Sequence, residues 1–299
     1  MPLSGPHPDV MTAQIIIKLL TAASLTGLLL AVGLRLTAVE ILNSLRQGRM
    51  GWIVAANFIL VPALTLALAM VFRVPEPIAA GMILLGAAPF APVVPVFTRM
   101  AKGDLALAAG LTALFPFLSA LLTPAVCELS LRLLPGTGTL RFSFLSILLV
   151  LVLTITLPLL AGVAVNHWLP KLGRTLLRPM EVLSEATGAV SLAFVTIVEF
   201  DTILGTGWIP LLAMIVISEL ALGLGWILGG PGKAARLVIG LGTSNRNIAL
   251  ALLIALQSFG DSPIVAAVVA NGLVLILLGL VHVAYWRFVS PVPEPSRRT

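Results

Sequence analysis

A group of polar residues interrupts a long apolar stretch in the C-terminal half of the chain. The group follows Gly240-Leu241-Gly242 and consists of Thr243, Ser244, Asn245, Arg246 and Asn247. A guanidinium inside a membrane span costs roughly 3 kcal/mol to insert, so it needs a partner or water. Arginine can hold a carboxylate with two parallel hydrogen bonds. The group therefore predicts a binding site for a small anionic solute.

Arg246 has two interpretations, which can hold together. It could be the counter-charge for an anionic substrate, or it could form a permanent ion pair and serve as a fixed cation. Glu219, in the middle of another apolar stretch, is the predicted ion-pair partner, and it could instead titrate and carry a proton because burial raises a carboxyl pKa. Thr112 and Gln257 are further candidates for ion coupling, although helix–helix hydrogen bonding is the commoner role of such residues.

The polar neighbours of Arg246 also have two interpretations. Broken helix ends expose N–H groups that favour anions, so these side chains could form one wall of the site. Alternatively they cap the broken ends, as Ser and Asn commonly do.

Another interruption lies earlier, in the N-terminal half of the chain. In chain order it is the first break, and the group around Arg246 is the second break. Pro89, Pro92 and Pro95 remove three backbone donors from an apolar stretch and predict a kinked span, with Pro92 and Pro95 beside the substrate. Similar sequences follow the two interruptions, at Ala101 to Leu107 and at Ser258 to Ile264. Two broken segments at matching positions of two halves indicate a secondary transporter with an inverted repeat.

The composition indicates an all-α polytopic membrane protein. Of 299 residues, 59% are hydrophobic and 10% are charged, whereas soluble domains carry about 25% charged residues. The net charge of +6 does not predict nucleic-acid binding, because the basic residues fall between apolar spans. The single Cys127 excludes an intramolecular disulfide and a multi-cysteine metal site. We find no motif of a known enzyme class, so we expect neither catalysis nor a cofactor.

The apolar stretches predict nine spans, since about 20 residues cross the hydrocarbon layer. The spans are 15–37, 51–72, 77–98, 104–133, 143–166, 182–200, 208–229, 234–258 and 263–288. An N-terminus outside places twelve basic loop residues inside and only three outside, namely Arg73, Arg132 and Arg141. Because short inside loops are rich in Lys and Arg, we expect the N-terminus outside and the C-terminus in the cytoplasm.

The spans divide the chain into two predicted halves. The first is 14–166, with the helix 15–37, the helices of 51–133 and the helix 143–166; the second is 182–289, with the helix 182–200 and the helices of 208–288. The tails are 1–13 and 290–299. Residues 37–49 form a predicted amphipathic link, and 167–179 form the longest basic loop between the halves.

Residues 89–124 resemble a segment of the bile acid:sodium symporter family. The resemblance rests on AKGD at Ala101 to Asp104 and on LLTP at Leu121 to Pro124. The interruption in the C-terminal half, TSNRNIALAL from Thr243 to Leu252, is similar to the second broken segment of that family and of the related arsenite exporters. The resemblance extends from about residue 19 to residue 288 and marks a divergent, bacterial-type member. It implies two crossing broken helices, a core of spans two to four and seven to nine, and a panel of spans one, five and six, with the substrate between core and panel.

The resemblance also shows where this chain departs from the family. Positions that bear oxygen ligands in sodium-using members fall here on Val94, Pro95, Ala108, Gly242 and Arg246, while Thr112 keeps a hydroxyl. Sodium needs several oxygen ligands, as hard cations do, so we expect sodium coupling to be weak or absent. Phe90 stands where the arsenite exporters carry a cysteine, which makes thiol capture of arsenite unexpected here.

The sequence thus predicts a symporter-like secondary transporter in the cell (inner) membrane, moving a small organic anion by alternating access. Its partners are the lipid bilayer and the solute, and no metal or nucleic acid is expected. The alternatives are a receptor-like or structural membrane protein without transport, an arsenite-exporter-like efflux protein, and a channel-like or exchange protein. The substrate, the transport direction, the coupling ion (sodium or a proton) and the oligomeric state stay open.

Overall fold

The computed structural model describes residues 8–36, 49–136, 142–260 and 262–289 of the chain. Within these ranges the chain is helical and forms no strand. Eight helical segments there are long and apolar enough to cross a membrane, and one of them, Lys233–Ser258, is broken at residues 245–247. Two shorter helices that follow one another, Glu76–Gly86 and Val94–Met100, provide a further crossing with a break in the middle. The predicted class of an all-α polytopic membrane protein is confirmed.

The helices are numbered here in chain order. They are α1 Pro8–Arg35, α2 Met50–Val71, α3 Glu76–Gly86, α4 Val94–Met100, α5 Leu105–Leu133, α6 Phe144–Trp168, α7 Pro170–Val198, α8 Phe200–Leu204, α9 Trp208–Leu228, α10 Lys233–Ser244, α11 Ile248–Ser258 and α12 Pro263–Ala284. Short π-helical turns interrupt α2 at Ala56–Leu60 and α6 at Val152–Thr156, and a third, Tyr285–Val289, follows α12.

The helices pack in two groups. α1 packs mainly against α6 and α7, and these three form a panel. The other long helices surround the broken pairs α3–α4 and α10–α11 and form a core, which α1 touches through α11. Hydroxyl groups join the panel helices: Thr21 Oγ1 lies 2.7 Å from Ser191 Oγ, and Ser24 Oγ donates to the carbonyl of Ser184 at 2.8 Å. Such small polar contacts are typical of helix packing in membranes.

One predicted boundary is wrong, for an identifiable reason. The segment 167–179 is not a long loop, because α7 begins at Pro170, where proline suits the first helical turn, and continues to Val198. Its basic residues hide this helix from a search for apolar stretches. The predicted break within the span 77–98 is observed, since α3 ends at Gly86 and α4 starts at Val94. Residues 37–48 of the predicted amphipathic link 37–49, and the predicted C-terminal tail 290–299, lie outside the described residues.

An aromatic stack fills the core beside the first break. The rings of Phe90 and Phe115 have centroids 4.9 Å apart, and Phe115 stacks on Phe58 at 6.0 Å. Phe90 has a φ of 49°, an unusual conformation for a bulky residue, so tight packing must hold it there. A Cβ added to Gly242 would lie 1.9 Å from the Phe90 ring. Because Gly242 has no side chain, it leaves room for the Phe90 ring.

Replacing Gly242 by alanine should destabilise the protein. The added methyl group overlaps the Phe90 ring, and such overpacking costs about 1–3 kcal/mol. Gly223→Ala is the matched control, because a Cβ there meets nothing within 4 Å and alanine favours a helix. Thermal unfolding in detergent should show a lower melting temperature for Gly242→Ala and an unchanged or higher one for Gly223→Ala. Equal melting temperatures for the two variants would contradict this packing.

Candidate functional site

The two broken helix pairs cross and bond to each other at their breaks. The Ala91 N–H donates to the carbonyl of Asn245 at 3.0 Å, and the Asn247 N–H donates to the carbonyl of Ala88 at 2.9 Å. As residue numbers rise in one break they fall in the other, so the two breaks run antiparallel. Backbone groups freed by the breaks thus find partners at a depth where the bilayer offers none.

Asparagine side chains complete the ends of the second break. Asn245 follows the last turn of α10, and its Nδ2 donates to the carbonyl of Leu241 at 3.0 Å. Asn247 is the N-cap of α11, and its Oδ1 accepts from the Leu250 N–H at 3.0 Å. Ser244 Oγ donates to the Leu241 carbonyl at 3.3 Å and accepts from Asn245 Nδ2. Capping, one of the two interpretations of these residues, is therefore observed.

Arg246 is buried between three elements of the core. Its residue surface is 4% exposed. Nη1 donates to Asn57 Oδ1 at 2.7 Å and to the Thr243 carbonyl at 3.3 Å, while Nη2 donates to the Asn57 carbonyl at 2.9 Å and to the Gly86 carbonyl. Four of the five N–H groups of the guanidinium are bonded in this way, and only Nε lacks a partner. All of its acceptors are uncharged oxygens.

The predicted ion pair between Arg246 and Glu219 is wrong. Glu219 Oε1 lies 3.1 Å from His282 Nε2, and the Glu219 side chain is 45% exposed on the outer surface of α9. The preceding residue on that helix, Ser218, is buried and lies near Arg246 instead. A difference of one position turns a helical side chain by about 100°, so depth along the chain alone does not decide which residue points inward.

A cavity of about 450 Å³ lies between the panel and the crossing. Hydroxyl-bearing residues of α1 and α7 line one side, namely Thr21, Ser24, Ser184 and Ser191. The two breaks line the other side, through Ala91, Pro92, Val93, Asn245, Arg246 and Asn247. Apolar residues, including Phe97 and Leu252, form most of the remaining wall. Its volume falls within the range of small-molecule sites, and so does its combination of a mainly apolar wall with a few polar groups.

A second cavity of about 610 Å³ adjoins the first. The two share Leu28, Pro92, Val96 and Glu185 as lining residues, so they are neighbours, and together they are called the crevice here. The second cavity is the more charged of the two, with Arg35, Arg99, Asp104, Arg178 and Glu181 in its wall. Arg35 bonds to Glu181, and Arg178 Nη1 lies 3.6 Å from the same carboxylate. The lining of the crevice thus changes from mainly apolar in the first cavity to charged in the second.

The remaining predicted residues occupy different places. Pro92 lines both cavities and Pro95 lines the charged one. Thr112 also lines the charged cavity, and its hydroxyl donates to the Ala108 carbonyl at 2.8 Å. Gln257 is in the last turn of α11, at the end opposite the break, so the structure does not bring it to the crossing. Among the described residues, no group of three or more His, Cys, Asp and Glu could hold a metal ion.

Several residues of the site could not be assigned from the sequence. Asn57 is the main side-chain acceptor for Arg246, and its only sequence signal is an amide inside the apolar stretch of α2. Gly86, Ala88 and Ala91 contribute through backbone groups, which side-chain identity does not reveal. The hydroxyls of α1 and α7 match the usual helix-packing pattern and gave no reason to choose them.

Crossing broken helices beside a crevice between core and panel define a secondary transporter class of membrane protein. A model of the sodium bile acid symporter family matches residues 22–198, more than half of the chain, and the chain belongs to that family. It is also similar to a protein of Arabidopsis thaliana named "Probable sodium/metabolite cotransporter BASS1, chloroplastic". The two are 24% identical over 278 residues, which is 91% of this chain and 67% of that protein. The predicted family is confirmed.

Replacing Asn57 by alanine should weaken the core. The change leaves a buried N–H of Arg246 without its side-chain acceptor, which costs about 1–3 kcal/mol. Asn166→Ala is the control, because Asn166 Nδ2 donates to the Leu36 carbonyl within the panel and is only partly buried. The melting temperature in detergent should fall clearly further for Asn57→Ala than for Asn166→Ala. A greater loss in the Asn166 variant would mean that Arg246 does not depend on this contact.

Proposed function

We propose that this protein is a secondary transporter of a small organic anion that works by alternating access. The observation that carries the proposal is the cavity of about 450 Å³ between the panel and the antiparallel crossing. In this mechanism the panel of α1, α6 and α7 moves against the core, and the site at the crossing opens to either side in turn. Discontinuous helices that meet beside a cavity are the usual substrate site of such carriers.

The charge of Arg246 supports an anionic substrate. Among the described residues Arg246 has no carboxylate partner, and its acceptors are neutral oxygens. A cation in a medium of low dielectric attracts an anion strongly, even without direct contact. Because four N–H groups are already bonded within the core, the substrate would meet Asn245, Asn247 and the hydroxyls of the panel. Arg246 would then attract the substrate electrostatically and would not hold it through two direct hydrogen bonds.

Coupling to sodium is expected to be weak in this proposal. The guanidinium of Arg246 is close to the neutral oxygens that could otherwise hold a cation, and it repels one. A proton is the other candidate. Glu185 is the carboxylate that lines both cavities, whereas Glu219 lies away from them beside His282. Glu185 is therefore better placed than Glu219 for proton coupling.

The charged cavity supports the proposed orientation. Its basic residues, Arg35, Arg99 and Arg178, lie at the ends of α1, α4 and α7 that the distribution of Lys and Arg assigns to the cytoplasm. The protein would then lie in the cell membrane with its N-terminus outside, and the crevice described here would open inward. Arsenite efflux by thiol capture has less support, since the single Cys127 is buried and lines neither cavity.

Purified protein should bind an organic anion with little dependence on sodium. A panel of cholate, taurocholate, benzoate and pyruvate can be tested by calorimetry in sodium and in potassium buffers of equal ionic strength. We expect at least one anion to bind, with a dissociation constant that changes by less than about tenfold, or roughly 1.4 kcal/mol, between the two salts. A steep, cooperative sodium dependence would contradict the weak coupling proposed here.

The variant Asn57→Asp tests the field of Arg246 in the same assay. A carboxylate at position 57 neutralises the guanidinium from within the core, on the side away from the panel. We expect the variant to fold and to bind the same anion at least about tenfold more weakly, a loss of about 1.4 kcal/mol. Unchanged affinity in a folded variant would show that Arg246 does not attract the substrate.

The proposed orientation predicts labelling from opposite sides. Thr202→Cys lies between α7 and α9 on the predicted outer side, and Pro231→Cys lies between α9 and α10 on the predicted inner side; both native residues are exposed. The native Cys127 is buried and should react slowly. In intact cells a membrane-impermeant maleimide should label position 202 and not position 231. Labelling of position 231 alone would show the opposite orientation. Labelling of both positions would show that α9 does not separate them across the membrane.

A further inference from the structure

Three segments of the core direct oxygen atoms toward the guanidinium of Arg246. The Gly86 carbonyl is in the last turn of α3, the Thr243 carbonyl is in the last turn of α10, and Asn57 contributes two oxygens from the π-helical turn of α2. Carbonyls at helix C-termini carry partial negative charge. Unwound backbone and the C-terminal ends of half-helices are groups that coordinate cations in transporters generally.

We propose that this point is a site for a monovalent cation and that the resident cation is the side chain of Arg246. The ligands are neutral oxygens with a common focus, which suits a singly charged cation better than an anion or a neutral group. The guanidinium satisfies all of them with four of its N–H groups. Because this cation is covalently attached, it cannot dissociate during a transport cycle.

The assignment extends the proposed function. A cation that stays in place joins α2, α3 and α10 permanently, so this part of the core keeps one arrangement while the panel moves. An ion gradient transfers energy only through an ion that binds on one side and leaves on the other. The site at the crossing therefore contributes no cation coupling, and any coupling must use another group. Only this last step depends on the protein being a transporter.

The surroundings of Arg246 allow a direct test by chemical rescue. A small cavity of about 20 Å³ adjoins Arg246, and its lining combines apolar residues with the polar residues Thr65, Ser218, Ser244 and Asn271. Arg246 Nε and Asn271 Oδ1 are buried there without partners. Truncation of Arg246 would enlarge this cavity into a polar void that ends at the oxygens of Asn57, Gly86 and Thr243. A free cation of suitable size should occupy it.

The experiment is thermal unfolding of Arg246→Ala in detergent with added small molecules. The variant leaves buried acceptors unsatisfied, and we expect its melting temperature to fall by roughly 5–10 °C. Methylguanidinium at about 10–20 mM should restore at least about half of this loss, because a ligand that binds only the folded state raises stability with its concentration. Urea at the same concentration has a similar shape and donors but no charge, and it should restore nothing.

Arg236→Ala, on α10 before the break that contains Arg246, is the control. Arg236 Nε donates to the Gly230 carbonyl outside the crossing, so its loss should not be corrected by methylguanidinium. Arg246→Lys and Arg246→Met serve if the alanine variant does not fold. Both fill the volume but only lysine carries a charge, so the lysine variant should melt clearly above the methionine variant.

Three results would overturn the assignment. They are equal rescue by urea and methylguanidinium, no rescue of a folded Arg246→Ala, and a methionine variant as stable as the lysine variant. These results do not involve transport. Rescue of stability in a protein that binds no organic anion would support the cation site and count against the proposed function, whereas anion binding without rescue would do the reverse.

Discussion

The structure depends on one constraint, the need to satisfy backbone and charged groups where two helices break inside an apolar core. Each unpaired polar group at that depth costs several kcal/mol, and the bilayer offers no partner. The two breaks meet this need together, since Ala91 bonds to Asn245 and Asn247 bonds to Ala88. Arg246 joins the arrangement to α2 and α3 through Asn57 and Gly86. The crossing, the position of the cavity and the separation of core from panel follow from this arrangement.

Phe90, Gly242 and Arg246 lie together where the two broken helix pairs cross. The ring of Phe90 occupies the volume that Gly242 leaves free, and it extends an aromatic stack through Phe115. One turn further along, Arg246 supplies a charge that neutral oxygens hold. Bulk at position 90 is thus compatible with glycine at 242, and substitutions at these two positions should be interpreted together.

The sequence was sufficient for features that depend on length and composition. Apolar stretches, proline clusters and the paired interruptions predicted the membrane class and the two breaks, whereas the family was inferred from the resemblance of the AKGD and LLTP motifs. The sequence did not show which face of a helix packs inward or which backbone groups serve as hydrogen-bond acceptors. Glu219 and Ser218 are neighbours in the chain, yet only Ser218 faces Arg246, and the helical rotation that separates them is set by packing. The carbonyl of Gly86 has no signature in the sequence. The predicted span 182–200 omits the first turns of α7, because those turns are basic.

The central claim is that the cavity between panel and crossing selects an anion because of the positive charge at Arg246. It is tested most directly by comparing cholate with its uncharged primary amide, which share one apolar body. Binding is measured by calorimetry and by protection of Ser184→Cys, in the cavity wall, from a water-soluble alkylating reagent. The account predicts that cholate binds at least about tenfold more tightly and slows alkylation of Cys at position 184. Equal affinity of the acid and the amide, or tight cholate binding that leaves this alkylation unchanged, would contradict it.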